Sequence, residues 1–261
     1  MFTNAQCTSM AYQALAYKMV CGQPDTWNYH DIDAILQQGH ILHCYFRDDL
    51  KLSNNVDNRI ALYELPHSHE VGVFPSSITG PSSIVSAQNV QMTVAYDIDG
   101  IYEYESREIA ASFDNVVTEF PVFISKTFST DNVEAINMIL TVGAFSMAIW
   151  RQSNENTIWL FDSHRRDPTG LVHAVSILET DSFDNGAALA RSFDNANGLL
   201  EHITEIYGKN FYYNARLFNL DMGNSDSVPA AGNKSDEAQD NKEDSQDDIT
   251  DTPLDEEKYP P

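Results

Sequence analysis

"TIWLFDSHRR", residues 157–166, runs a largely apolar stretch directly into Asp162, Ser163 and His164. A short apolar run of this kind is typical of a buried strand, and the side chains of a strand alternate between its two faces. Asp162 and His164 therefore share one face, and Ser163 points to the other. A carboxylate and an imidazole are both costly to bury without partners. The stretch indicates a strand whose end carries a paired Asp and His.

Such a pair can orient a general base. The carboxylate accepts a hydrogen bond from one imidazole nitrogen and leaves the other free to move a proton. A hydrogen-bonded pair without any chemistry is the simpler interpretation. Cys7 favours the catalytic one, because in "NAQCTSMAYQAL" it begins a predicted helix, whose N-terminus lowers the pKa of a thiol. Cys7, His164 and Asp162 would then form a complete nucleophilic set, the alternative for Cys7 being an ordinary buried cysteine.

The other two cysteines are weaker candidates. Cys21 ends the first predicted helix, where the dipole raises a thiol pKa, and Cys44 lies in an apolar run that we expect to face the core. Three cysteines without a CxxC pair do not make a disulfide framework. Histidines cluster in two places without partners at structural-zinc spacing, so neither a metal nor a cofactor is expected: His40 with His43, and His67 with His69.

Charge and composition narrow the function classes. The 261 residues carry a formal net charge of −24, and residues 224–261 alone hold 12 acidic and three basic side chains. Nucleic-acid binding requires clusters of Lys and Arg, and none occurs, so we expect no nucleic-acid partner. Neither a signal peptide nor a membrane span is expected from the apolar pattern. These features favour a reducing compartment, the cytoplasm or nucleus, and no membrane association.

The chain divides by composition into residues 1–220, with continuous hydrophobic patterning, and residues 221–261, predicted to be a disordered acidic tail. Within the first part, helical spacing and turn signals predict an α+β domain. Predicted helices cover 7–20, 29–40 with Gly39 as the stop signal, and 197–208. Predicted strands form one hairpin around Asp99–Gly100 and another from 144–151 and 156–164, with further strands at 122–125, 186–193 and 210–218.

Several of these segments occur in the order of a known family. "AQCTSMAYQALAY", "TWNYHDIDAILQQGH", "VGAFSMAIWR", "TIWLFDSHRRDPTG", "GAALARSF" and "LLEHITEIYG" resemble the herpesvirus large tegument protein deubiquitinases and related domains outside herpesviruses, which are papain-like cysteine peptidases. The resemblance spans roughly residues 4–218, without a match for about 50–120. It implies a papain-like fold in which the helix that carries the nucleophile packs against a mainly antiparallel sheet.

The resemblance also implies a chemistry. Cys7 would be the nucleophile, His164 the general base and acid, and Asp162 the orienting carboxylate. The bond cleaved would follow the C-terminal Gly of ubiquitin or a ubiquitin-like protein, in the cytoplasm or nucleus of a host cell if the protein is viral. The family's oxyanion-stabilising Gln lies well upstream of its cysteine, whereas only six residues precede Cys7, which leaves the adjacent Gln6 as the candidate here.

Losing one oxyanion donor typically lowers the rate by ~10²–10³. Three alternatives to the peptidase therefore stay open. They are a catalytically weak ubiquitin-binding module of the same fold, a Cys-His-Asp amide transferase or deamidase, and a plain structural protein.

Overall fold

The structure is a computed structural model that describes residues 6–52, 59–76, 87–102, 118–129, 131, 134–166 and 187–223. Within these ranges the chain forms four α-helices and eight strands. The helices are α1 Cys7–Cys21, α2 Tyr29–Asp48, α3 Phe120–Thr127 and α4 Ala196–Tyr207. The strands are β1 Ser68–Val73, β2 Gln88–Tyr102, β3 Thr118–Glu119, β4 Ile136–Val142, β5 Phe145–Arg151, β6 Ile158–Arg166, β7 Ala187–Phe193 and β8 Phe211–Met222.

The strands form one sheet in the order β1-β2-β8-β4-β5-β6-β7, with β3 paired to β2 beside this path. Every pairing along the path is antiparallel, and only the short β3 runs parallel to its neighbour. The last strand in the sequence, β8, lies inside the sheet between β2 and β4. The mixture of helices with an antiparallel sheet confirms the predicted α+β class.

Helices cover both faces of the sheet, so the strands at its centre are apolar on both sides. On β5, Ala148 and Trp150 join the core that α1 and α2 form on one face. Met147 and Ile149 alternate with them and join the core that α3 and α4 form on the other face. Burial on both sides explains why β4, β5 and β6 read as continuous apolar runs.

The second helix is longer than its sequence predicts. It begins at a capping box, in which the Asn28 side chain accepts from the N–H of His30 and the Asp31 carboxylate accepts from the N–H of Asn28. Gly39 does not end it, and the helix continues to Asp48. A Cβ at Gly39 would lie 2.8 Å from Cα of Met10, so this glycine is the point at which α1 and α2 touch. Close packing, and not a helix stop, is the reason for the glycine.

The strand predicted at residues 122–125 is wrong, because these residues lie in α3. Val, Phe and Ile favour strands in isolation. Here Pro121 occupies the first turn, where a missing N–H is harmless, and the buried residues repeat at helical spacing: Phe120, Phe123, Ile124 and Thr127. Helical periodicity across one buried face outweighs the local β-propensity.

The hairpin predicted at Asp99–Gly100 is also wrong. Both residues lie inside β2, which runs straight through them and stays paired with β8, Asp99 opposite Asn214 and Gly100 opposite Tyr213. Gly100 also lies opposite Thr118 of β3. Pairing with β8, and at Gly100 also with β3, keeps the dipeptide extended. Most of the second predicted hairpin strand, beyond Tyr102, lies outside the described residues.

The other predicted elements are confirmed. The hairpin of β5 and β6 closes across residues 152–157, β7 and β8 fall where strands were expected, and α1 and α4 match the predicted helices. Strand β8 runs to Met222, two residues past the predicted domain boundary. Residues 224–261 lie outside the described residues, so the acidic tail stays a prediction.

Candidate active site

The start of α1 places Cys7 at the positive end of a helix. Gln6 is the N-cap, and the first bond of the helix runs from the N–H of Met10 to the carbonyl of Gln6 at 3.0 Å. The N–H groups of Cys7, Thr8 and Ser9 therefore have no acceptor within the helix. Because the partial positive charge of these groups favours an anion, the position suits a thiolate. The Cys7 side chain is almost fully buried.

The sulfur of Cys7 lies against the turn between β4 and β5. The N–H of Ser146 donates to Sγ at 3.4 Å, and the thiol donates to the carbonyl of Ala144 at 3.7 Å. These two residues flank Phe145, the first residue of β5. The thiol is thus held between the end of a helix and the end of a hairpin that lie 139 positions apart in sequence.

Strand β6 brings Asp162 and His164 to one face, as the alternation predicts. Oδ1 of Asp162 lies 2.6 Å from Nδ1 of His164 and also accepts from the His164 N–H at 2.9 Å. With its proton on Nδ1, the imidazole presents Nε2, which is buried and has no hydrogen-bond partner among the described residues. The Phe145 ring packs edge-on against the imidazole, with centroids 4.8 Å apart.

The imidazole and the thiol shift each other's titration in opposite directions. Burial alone would raise the pKa of Cys7, but the neighbouring His164 and the N–H of Ser146 lower it below the ordinary thiol value. Burial would lower the pKa of His164, but the hydrogen bond that its Nδ1 donates to Asp162 and the proximity of Cys7 raise it to about 9. Each group therefore stabilises the charged form of the other, which favours a thiolate beside an imidazolium. All three residues predicted as a nucleophilic set lie together.

Arg166 is a member of this site that the sequence analysis missed. Its Nε donates to Oδ2 of Asp162 at 2.8 Å, its Nη2 contacts the same oxygen, and Nη2 also donates to the hydroxyl of Tyr207 at 2.9 Å. Arg166 is 2% exposed. The spacing of residues 162, 164 and 166 in the sequence, two positions apart, is a signal that could have found it. The pairing of β6 with β7 is irregular between Asp162 and Arg166, but the two side chains still meet.

The two oxygens of Asp162 thus have different partners, His164 on Oδ1 and Arg166 on Oδ2. Burial raises the pKa of this carboxyl, but the hydrogen bond with His164 and the charges of both neighbours lower it below its ordinary value. The carboxylate stays ionised and cannot rotate without losing a bond. It holds the imidazole in one orientation.

The remaining candidate residues lie apart from this set or beside it. Gln6 is buried at the N-cap, and its side chain makes no capping hydrogen bond. Cys21 lies at the far end of α1, where burial raises its pKa. Cys44 was expected in the core, but it is only half-buried, because it lies near the solvent-facing side of α2. Its Sγ is 3.9 Å from Nε2 of His40. Its neighbour His43 takes the buried position.

In the part of the chain that the structure describes, no three side chains of His, Cys, Asp or Glu are grouped as metal ligands. The same residues contain no helix with the length and apolar character needed to cross a bilayer.

The fold and the Cys-His-Asp geometry can be compared with known proteins. The chain belongs to the family of herpesvirus tegument proteins: residues 1–222 match the family described as the herpesvirus tegument protein, N-terminal conserved region. This confirms the resemblance found in the sequence. No curated protein matches the chain.

Among solved structures, the chain is similar to the ubiquitin-specific protease encoded by the murine cytomegalovirus tegument protein M48, crystallised with a ubiquitin-based suicide substrate. The match has a TM-score of 0.59 at 16% sequence identity and covers 87% of this chain and 82% of the other. At this identity the match concerns the fold, which is the predicted α+β, papain-like arrangement.

Proposed function

We propose that this protein is a cysteine peptidase that cleaves the peptide or isopeptide bond after the C-terminal Gly of ubiquitin or a ubiquitin-like modifier. The observation that carries the proposal is the geometry of the site: Cys7 begins helix α1 with its sulfur beside His164, and Asp162 lies 2.6 Å from Nδ1 of that imidazole. The opposite pKa shifts of Cys7 and His164 agree with it. The ubiquitin-based substrate of the structurally similar protease supports the substrate class.

In this mechanism the Cys7 sulfur attacks the carbonyl carbon of the terminal Gly, and His164 holds the proton that left the thiol. The imidazolium gives this proton to the leaving amine, the C–N bond breaks, and a thioester remains on Cys7. His164 then takes a proton from water, whose oxygen attacks the thioester. Hydrolysis returns the thiol and releases the free carboxylate of the modifier.

The developing oxyanion needs donors that point at it before the reaction begins. The N–H of Cys7, unpaired within α1, is in the position to supply one. Gln6 is the candidate for a second, because its buried side chain lies next to the nucleophile and caps nothing.

A ubiquitin probe with a C-terminal thiol-reactive electrophile tests the proposal. We expect a covalent adduct on Cys7 of the parent, none with Cys7→Ala, and a much slower adduct with His164→Ala. Cys44→Ala serves as the control, because it removes a more accessible thiol outside the site. An adduct that survives Cys7→Ala would contradict the assignment of the nucleophile.

The same proteins separate the alternatives. Tight ubiquitin binding with neither adduct nor turnover would indicate a binding module, and ammonia release without cleavage would indicate an amide transferase. We place the reaction in the cytoplasm or nucleus of an infected cell, in keeping with the family's tegument proteins and the reduced thiol the chemistry needs.

A further inference from the structure

Strands β5 and β6 separate next to the candidate active site. Their pairing begins with Arg151 opposite Ile158 and ends with Ala148 opposite Phe161. The pairing of β5 with β4 continues further, to Val142 opposite Phe145. Among the described strands, residues 145–147 are therefore paired with β4 on one side and have no paired residue on β6 on the other side. The Cys7 sulfur lies at this opening.

The geometry of the hairpin sets the direction of the Ser146 N–H. Val142 and Phe145 close a two-residue turn as a hydrogen-bonded pair, so the next pair, Thr141 and Ser146, is of the non-hydrogen-bonded type. The side chains of such a pair lie close together, and the two hydroxyls are 2.8 Å apart. The Ser146 N–H then points toward β6, where it meets Sγ of Cys7 at 3.4 Å. The sulfur replaces the carbonyl that a continued strand would supply.

The hydroxyl of Ser146 also reaches helix α1. It lies 2.9 Å from Oγ1 of Thr8, so three hydroxyls form a chain from Thr8 through Ser146 to Thr141. Thr8 and Ser146 are both buried, and these contacts give each hydroxyl the hydrogen-bond partner that a buried polar group needs. The three linked hydroxyls connect the first turn of α1, which carries Cys7, to both strands of the hairpin.

We propose that Ser146 is a positioning residue for the Cys7 nucleophile: its N–H stabilises the thiolate, and its hydroxyl, held between Thr8 and Thr141, keeps the sulfur in reach of that N–H. The assignment of Cys7 as nucleophile rests on the proposed function. The backbone and side chain of Ser146 both lower the pKa of the thiol, although less than His164 does. Among the described residues, the titratable groups that interact with the sulfur are His164 of β6 and Tyr207 of α4.

The pH dependence of Cys7 alkylation by iodoacetamide, followed by mass spectrometry of the Cys7 peptide, tests this without ubiquitin. We expect Ser146→Ala to move the midpoint upward by about 0.5–1 pH unit, which is about three- to tenfold slower alkylation below the parent's midpoint. Thr141→Val should shift it less, in the same direction. Ser9→Ala is the matched control, since it removes a buried hydroxyl from the same turn of α1 that has no partner among the described residues.

A Ser146→Ala midpoint equal to that of Ser9→Ala, in folded protein, would overturn the positioning role. If Ser146→Ala does not fold, Thr141→Val decides: an upward shift supports the role and an unchanged midpoint refutes it. A parent midpoint near the ordinary thiol value would instead refute the ion pair on which the proposed function depends. The two failures are therefore distinguishable.

Discussion

Arg166 donates from Nε to Oδ2 of Asp162 over 2.8 Å, and both side chains lie inside the protein. Removing one partner of a buried ion pair leaves the other charge uncompensated. We expect Arg166→Met to destabilise the protein by about 3 kcal/mol and to reduce turnover further than the loss of folded protein explains. Denaturant unfolding and kcat, measured on the folded fraction, check this.

Tyr207→Phe is the control for that prediction, because it removes only the hydrogen bond from Arg166 to the Tyr207 hydroxyl. It should cost about 1 kcal/mol and leave most of the activity. Full turnover in a folded Arg166→Met protein would show that Asp162 needs no second partner.

The raised pKa of His164 links stability to pH. The folded-state value of about 9 exceeds the ordinary 6.5, so the charged imidazole contributes stability in full below pH 6.5 and loses it as the pH rises through 9. We expect the difference in unfolding free energy between the parent and His164→Gln to shrink steadily over this range. Urea unfolding at several pH values measures it, and a constant difference would mean that the imidazole is neutral in the folded protein.

Replacing Gly39 by Ala should destabilise the protein, although Gly→Ala in a helix usually stabilises. Ala is a better helix former than Gly, yet a Cβ here would lie 2.8 Å from Cα and 2.9 Å from Cγ of Met10. Gly39→Ala should therefore destabilise by about 1–3 kcal/mol, as overpacked sites do. Gly198→Ala in α4 is the matched control: its Cβ would meet Phe193 at an ordinary 3.6 Å, and we expect a gain of about 0.5 kcal/mol. Thermal melts of both variants suffice, and equal melting shifts would contradict the close contact.

Gln6 is the test of the oxyanion assignment. If its amide donates to the oxyanion, Gln6→Met should lower kcat by ~10²–10³ while ubiquitin binding stays within a few fold, because the bond forms only in the transition state. Single-turnover cleavage and a binding titration measure the two quantities. Gln37→Met, on the exposed face of α2, should change neither. A rate within threefold of the parent would assign the second donor elsewhere.

The sequence predicts correctly the elements for which local preference and tertiary packing favour the same structure. The helix at Cys7, the hairpin of β5 and β6, and the shared face of Asp162 and His164 all follow from periodicity and turn chemistry. Each of these patterns is written in consecutive residues. That Cys7 and His164 lie close together was predicted only from the family resemblance, because periodicity gives no information about the distance between residues 7 and 164.

The errors lie where distant contacts decide. Gly39 is a glycine because of Met10 on another helix, and Asp99–Gly100 is extended because β8 runs alongside. Residues 122–125 are helical because one face of α3 packs on the sheet. Arg166 differs, since the alternation that paired Asp162 with His164 also includes it. What the sequence does not show is that Arg166 is buried, since a charged residue at a strand end is usually solvated.

The central position of β8 has a consequence for biosynthesis. Residues 211–222 leave the ribosome after the other strands of the described residues, yet they join β2 to β4 and so connect the two halves of the sheet. A nascent chain that ends before them has two unpaired strand edges, and helix α1 can pack against only part of the sheet. Contacts of such long sequence separation form late and slowly. We expect the surroundings that shift the pKa of Cys7 to form only after translation of the domain is complete, so the proposed nucleophile would stay an ordinary thiol on the ribosome.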